Sequence, residues 1–186
     1  MDLTPFSSLT AAMQREGEHQ SINLPQDWLQ GRTAYGGLSA ALCLEAIRRT
    51  IPDIPALRSA QFCFIGPATG QLSIKPEVLR RGKSTVVVGV DLNGEAGIAV
   101  RGILCFGASR ASSHNHQSFS MPSVAGPEAY PSYYEWPNRP NFMNHFEGRL
   151  ALGARPGTPG VNPEMTVWLR HPRAMPLPGP GHVLGP

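Results

Sequence analysis

Trp28-Leu29-Gln30-Gly31-Arg32-Thr33-Ala34-Tyr35-Gly36-Gly37, running into Leu38-Ser39-Ala40-Ala41-Leu42-Cys43-Leu44-Glu45-Ala46-Ile47-Arg48-Arg49, is the stretch on which the reading of the chain turns. The first ten residues form a glycine-punctuated loop and the rest a helix. Glycines at a helix start leave backbone N–H groups bare and let a ligand approach closely. The positive end of the helix dipole points to the same place, which suits a developing negative charge. From Leu38 to Ile47 only Ser39 and Glu45 are clearly polar, so the apolar surface runs most of the way round. A surface helix needs only one apolar stripe. This helix is therefore expected to be wrapped by other structure. It is too short for a bilayer, which needs about 20 residues. Arg48-Arg49 suit its C-terminus, and Pro52 stops it.

Composition narrows the classes. The 186 residues suit one domain, or one and part of another, and 41% hydrophobic content permits a core. A net charge of +3, with no Lys/Arg run and no aromatic-basic interleave, gives no reason to expect nucleic acid as partner. Cys43, Cys63 and Cys105 fall in apolar segments without CxxC spacing, so buried free thiols in a reducing compartment are expected, not a metal site or a disulfide. Met1-Asp2-Leu3-Thr4-Pro5 lacks a basic, then apolar, signal pattern, and no membrane span is visible, so the cytoplasm is the expected location.

Outward from the helix, residues 1–27 read as a polar lead-in with one short strand near Glu18–Leu24. After Pro55 the period changes from helix to strand. Arg58–Ile65 places Ala60, Phe62 and Phe64 on one face and Gln61 and Cys63 on the other. Gly66-Pro67-Ala68-Thr69-Gly70 reads as a turn. Gln71–Arg80 is a second strand, in which Pro76 implies an edge or a bulge. Arg81-Gly82-Lys83 turns into a third, Ser84–Leu92, with Val86, Val88, Val90 and Leu92 on one face. Asn93-Gly94 signals a tight hairpin into a fourth, Gly97–Phe106. These readings give an α+β architecture in which a meander of four antiparallel strands curls round one central helix. Residues 1–110 form this first domain, and 111–145 form a linker rich in Pro and aromatics, whose Tyr130, Tyr133, Tyr134, Trp136 and Phe142 imply docking in its second half. Residues 146–186 carry two strand patterns, Phe146–Leu152 and Glu164–Arg170, and then a Pro/Gly-rich tail; two strands alone do not make a domain, so this part reads as the beginning of a second one.

Candidate chemistry is sparse. Gly31 to Gly36 has the opening of a P-loop, but Gly37-Leu38 stand where Lys and Ser/Thr are needed. Gly37-Leu38-Ser39-Ala40-Ala41 nearly matches a nucleophile elbow without the strand that must precede it. His114-x-His116 lies in a Ser/Asn-rich loop and reads as solvated. Arg80-Arg81-Gly82-Lys83-Ser84 is either an ordinary basic hairpin tip or a contact for the phosphates of a nucleotide-bearing substrate, with Arg81 and Lys83 as the contacts. Tyr35-Gly36-Gly37 has two readings. The glycines permit tight helix–sheet packing, or the backbone N–H groups of Gly36 and Gly37 form an oxyanion hole.

Gly31-Arg32-x-x-Tyr35-Gly36-Gly37 opening an Ala/Leu-rich helix resembles the hotdog fold, and more narrowly the double-hotdog acyl-CoA thioesterases of the thioesterase II type. Arg58-Ser59-Ala60-Gln61-Phe62-Cys63-Phe64-Ile65-Gly66-Pro67, Val78-Leu79-Arg80-Arg81-Gly82-Lys83-Ser84 and Cys105-Phe106-Gly107 agree in order. Phe146-Glu147-Gly148-Arg149 and Val167-Trp168-Leu169-Arg170 resemble the opening strands of that family's second hotdog. The resemblance implies hydrolysis of a fatty acyl-CoA to free fatty acid and CoA, within fatty acid metabolism, without metal or redox cofactor. CoA enters only as part of the substrate. It also implies Tyr35 and Gln61 as substrate-binding residues. The family's catalytic Asp and its Thr/Ser and Gln partners lie in the second hotdog, past the tryptophan strand, and have no counterpart before the tail at 172–186. A truncation or altered frame is one expectation for that tail, and loss of activity follows from it. The alternative is a non-catalytic acyl-CoA-binding or oligomerisation module. A hotdog dehydratase ranks last, because Tyr35-Gly36-Gly37 offers no catalytic His or Asp. A lone hotdog exposes a sheet edge and a helix mouth, so a homo-oligomer is expected.

Overall fold

The computed structural model describes residues 3–171, except 115, 117, 136 and 163. In chain order the elements are α1 (Phe6–Ala11), β1 (Gln14–Glu16), β2 (His19–Asn23), β3 (Leu29–Gln30), β4 (Thr33–Ala34), α2 (Gly36–Thr50), β5 (Ala56–Phe64), β6 (Gln71–Arg81), β7 (Thr85–Gly94), β8 (Gly97–Gly107), β9 (Glu147–Gly153) and β10 (Met165–Arg170). Short 3-10 turns cover Gln26–Trp28, Pro127–Ala129 and Asn141–His145.

Six strands form one antiparallel sheet in the order β1-β2-β6-β7-β8-β5, and α2 packs on β6, β7 and β8. Strand alternation sets the faces. Leu72 and Ile74 of β6, Val86, Val88, Val90 and Leu92 of β7, and Val100, Leu104 and Phe106 of β8 are buried. From α2 they meet Leu38, Leu42, Cys43, Ala46 and Ile47. This is the helix-on-curled-sheet arrangement expected from the sequence.

Four local expectations are corrected. The helix is not enclosed all round: Leu38, Ser39, Leu42, Cys43, Ala46 and Ile47 form one buried face, while Ala40, Ala41 and Leu44 stay half-buried. Its small residues made a one-sided burial look uniform. The four strands are not a simple meander, because β5 pairs with β8 at the far edge and not with its neighbour β6. Residues 65–70 are therefore a crossing and not a turn. They are held by Ile65 and Gly66 N–H on Ala99 C=O and by Ala34 N–H on Ala68 C=O. The tight turn after β7 falls at Glu95-Ala96, two residues beyond Asn93-Gly94. A register shift after Leu92 and the left-handed Gly97 (φ 104°) move the reversal along the chain. The lead-in also holds more than one strand: β1 hairpins onto β2, and α1 buries Leu9.

Pro76 lies where its proline chemistry permits. Pairing of β2 with β6 ends at Gln20 opposite Ile74, so Pro76 is beyond the end of that strand, and a register irregularity follows at Val78/Arg80. Strands β9 and β10 pair only with each other among the named strands, with Tyr133 N–H bonding Gly148 C=O. Arg170 ion-pairs Glu147 across them.

Candidate functional site at the mouth of the central helix

The mouth of α2 is built by two crossings of the chain. The β3–β4 hairpin turns through Gly31 at φ 69° and delivers Tyr35, whose N–H bonds Trp28 C=O at 3.1 Å. Thr33 Oγ1 accepts from Ala68 N–H at 2.9 Å, and Ala34 N–H donates to Ala68 C=O at 2.8 Å. These bonds tie the loop before β6 to the entry of the helix.

The first helical bond runs from Ser39 N–H to Tyr35 C=O at 3.1 Å, and no side chain caps the helix start. The N–H groups of Gly36, Gly37 and Leu38 therefore stand outside the helical ladder. Both glycines face an aromatic ring, Gly37 more closely than Gly36. A Cβ on Gly36 would lie 3.2 Å from Phe64 Cε1, and one on Gly37 would lie 2.6 Å from Tyr35 Cζ. The two readings of Tyr35-Gly36-Gly37 thus coexist: the glycines admit two aromatic rings, and their N–H groups are left unclaimed. At the other end Arg48 and Arg49 sit in the last turn, with Arg49 paired to Glu45 at 2.7 Å.

The linker docks on this mouth. Phe142 stacks flat on Tyr35 with centroids 4.2 Å apart, and Phe146 meets Tyr35 edge-on at 5.8 Å. Three residues on from Phe142, His145 stacks on Trp28 at 3.7 Å. His145 Nε2 lies 3.1 Å from Asp27 Oδ2 but out of line for a hydrogen bond, and both side chains are buried. Asp27 Oδ2 also accepts Thr4 N–H at 2.6 Å, and Trp28 Nε1 donates to Thr4 C=O at 2.9 Å. Burial holds the His145 imidazole below its ordinary range despite the attraction of Asp27. Sequence reasoning missed the roles of Asp27 and His145. The signal lay in Asn141-Phe142-Met143-Asn144-His145-Phe146, an aromatic cluster too dense for a floating linker.

The other predicted site residues lie apart from the mouth. Gln61 pairs with Ile103 on β5, on the sheet face opposite Phe62 and Phe64. Arg81 closes β6, ten residues and about 30 Å of strand rise from Gln71, and Lys83 follows in the turn; both are exposed. No hydrogen bond or ion pair joins Gln61, Arg81 or Lys83 to Tyr35 among the described residues. Of the thiols, Cys43 is buried in the helix–sheet core and pushed up to about 12, while Cys63 is exposed. Among the described residues no group of three or more His, Cys, Asp or Glu could hold a metal, and no helix is long and apolar enough to cross a membrane. Trp136 and the tail at 172–186 lie outside the described residues.

Two surface clefts lie elsewhere. One, of about 660 Å³, is lined by Leu152, Ala154, Val161, Glu164 and Met165, among others; the other, of about 440 Å³, lies between Arg58 and Arg110.

Residues 24–107 match the family profile of the acyl-CoA thioesterase N-terminal domain. No curated protein sequence matches the chain. Among solved structures, a hot dog fold protein of Alicyclobacillus acidocaldarius is 21% identical with a TM-score of 0.73, covering 82% of this chain and 57% of its own. The tesB protein of Mycobacterium avium subsp. paratuberculosis is 17% identical with a TM-score of 0.70, covering 94% and 64%. The acyl-CoA thioesterase II TesB2 of Mycobacterium marinum is 19% identical with a TM-score of 0.68, covering 91% and 61%. The chain thus spans about six tenths of the length of these structures, and at such identities they speak to fold.

Proposed function

With residues 24–107 an acyl-CoA thioesterase N-terminal domain of the hotdog type as the premise, we propose that the chain binds fatty acyl-CoA at the mouth of α2 and takes part in its hydrolysis. The observation that carries this reading is the trio of unclaimed N–H groups at Gly36, Gly37 and Leu38, on the positive end of a 15-residue helix. Donors fixed there are worth most where the thioester carbonyl oxygen gains charge on attack by water. The C–S bond then breaks, the fatty acid leaves with the water's oxygen, and the thiolate of CoA takes up a proton. Gly36 and Gly37 are the catalytic candidates, and Tyr35 borders the substrate. No metal or redox cofactor is needed for this chemistry.

Water needs a base, and the side chains packed around the mouth are aromatic: Tyr35, Phe64, Phe142 and Phe146. That observation favours a second reading, in which the same mouth binds acyl-CoA without turning it over. Gln61, Arg81 and Lys83 are the further substrate contacts of this reading, and a second copy would bring them to the mouth. The proposal therefore includes a homo-oligomer, working in the cytoplasm in fatty acid metabolism. The domain division at about 110 and 146 is part of the same proposal.

A release assay for free CoA over acyl-CoAs of increasing chain length, run beside a binding titration, tests both readings. Turnover that rises with chain length supports hydrolysis. Binding without release supports the second reading. Neither binding nor release would remove both.

A further inference from the structure

The strongest unassigned feature is the cleft of about 440 Å³ lined by Arg58, Ser84, Thr85, Gly107, Ser109 and Arg110, with Ala108. It lies on the sheet face away from α2. Thr85 and Gly107 are a cross-strand pair, next to the inward pair Val86–Phe106, so alternation turns them outward. Arg80 pairs with Val87 and shares that outward face.

The cleft is organised. Gly107 has no Cβ, and one there would lie 3.2 Å from Arg58 Cγ, so the Arg58 stem fits where only glycine leaves room. The guanidinium is then fixed by Nε donating to Gly107 C=O at 3.0 Å and Nη2 donating to Ser109 Oγ at 3.1 Å. Its second terminal nitrogen is left over, and the Ser109 hydroxyl, having accepted, keeps its own proton to donate. The strand ends beneath are locked by Ala108 N–H on Ser84 C=O and Gly82 N–H on Thr85 C=O.

Charge points the same way. Arg49, Lys75, Arg101 and Arg170 each have a carboxylate partner. Arg58, Arg80, Arg81, Lys83 and Arg110 make no ion pair among the described residues, as is also true of Arg15, Arg32, Arg48, Arg139 and Arg149, but these first five stand together at one end of the sheet. No acidic side chain lines the cleft. Uncompensated like charges in a concave site raise the local concentration of anions. A fixed guanidinium with adjacent hydroxyl donors matches the tetrahedral oxygens of a phosphate.

We propose that this outer cleft is a phosphate-binding site, taking a phosphomonoester or diphosphate group on Arg58 and Arg110 with Ser84, Thr85 and Ser109 as hydroxyl donors. The cleft lies on the sheet face away from the helix mouth; its coenzyme arm rests on the acyl-CoA reading proposed above, and its free-phosphate arm does not. The phosphate comes either from a free phosphate ester or from the nucleotide end of coenzyme A.

Calorimetric titration of the whole chain with inorganic pyrophosphate, adenosine 3′,5′-bisphosphate and coenzyme A tests the proposal. The variants are Arg58→Gln, Arg110→Glu and Ser109→Ala, with Lys75→Ala as the control. Pyrophosphate is expected to bind, more weakly as salt rises, and Arg58→Gln or Arg110→Glu each to weaken it by about tenfold or more. Arg110 is exposed three residues past the end of β8, so its variant reads binding even where Arg58→Gln disturbs the strand. Coenzyme A weakened in parallel assigns the phosphate to the coenzyme. Coenzyme A unaffected while pyrophosphate is lost assigns it to a free ester. The proposal is overturned if pyrophosphate does not bind, or if Lys75→Ala weakens it as much as the cleft variants do. Acyl-CoA hydrolysis by the wild type tests the helix mouth, and pyrophosphate binding tests the cleft, so the failure of either is distinguishable from the failure of the other.

Discussion

Gly37 and His145 show how single residues hold the mouth of the helix. Alanine for glycine inside a helix ordinarily stabilises by about 0.5–1 kcal/mol. At Gly37 the added methyl meets the Tyr35 ring, which is itself pinned flat on Phe142. Gly37→Ala is therefore expected to cost about 1–3 kcal/mol in urea denaturation, the usual range for overpacking. Gly36→Ala is expected near neutral, since Phe64 is 60% exposed and its ring has room to swing aside. Tyr35→Ala combined with Gly37→Ala should recover most of the loss, and failure to recover would show that the clash is not with that ring. His145 yields a pH prediction with a definite sign. Its folded value is depressed, so between that value and the ordinary one near 6.5 the unfolded chain binds more protons. Stability is then full above the ordinary imidazole value and falls as pH drops through the folded one. One such group contributes at most about 1.4 kcal/mol per pH unit. Denaturation midpoints at pH 7.5 and 5.5 should separate more in the wild type than in His145→Gln. Equal separations would mean that another group governs the slope.

At the scale of elements, the 3-10 turn Asn141–His145 acts as a clasp. It puts Phe142 on Tyr35 and His145 on Trp28, bridging the entry of α2 and the turn before β3. Removing Phe142 takes away a ring that is 7% exposed, while the sheet beneath keeps its own pairing. Phe142→Ala is expected to raise amide exchange in residues 141–146 and in the first turn of α2, leaving β7 and β8 protected. Uniform acceleration across the sheet would show instead that the clasp is part of the global core. The clasp also marks where sequence reading ends. Strands β6, β7 and β8 were legible because alternation states burial directly, as in Val86, Val88, Val90 and Leu92. The helix and its glycine mouth were legible through period and punctuation. The pairing of β5 with β8 was not, because alternation tells which face a residue takes and not which neighbour its strand finds. The turn at Glu95-Ala96 was hidden by a stronger local signal two residues earlier. Nothing in the spacing of Asp27 and His145, over a hundred residues apart, announces a contact.

For the whole molecule, the two sheet edges differ in kind. The β1 edge is three residues long and consists of Gln14, Arg15 and Glu16, a short polar edge of the sort that discourages pairing. The β5 edge is nine residues long, with Arg58 its only charged residue and Phe64 exposed at its end, beside Ile65. An edge so long and so little charged is a template for another strand. The mouth of α2 opens beside it, since Phe64 lies against Gly36. Pairing along β5 would thus close the sheet edge and bring a second copy's residues to the helix mouth in one step. It would also offer a route by which a side chain such as Gln61 or Lys83 could meet the partner's mouth. Sedimentation velocity over a dilution series should show a dimer that dissociates on dilution. Cys63→Lys, on the exposed face of β5, places like charges near one another across that edge and should shift the equilibrium toward monomer without lowering the melting temperature of the monomer. A chain that sediments as a monomer at every concentration, with Cys63→Lys indistinguishable from it, would leave the β5 edge unpaired. Under the proposed reading, it would also leave the mouth to the Gly36, Gly37 and Leu38 N–H groups and the aromatic rings of its own chain, without side chains from a second copy.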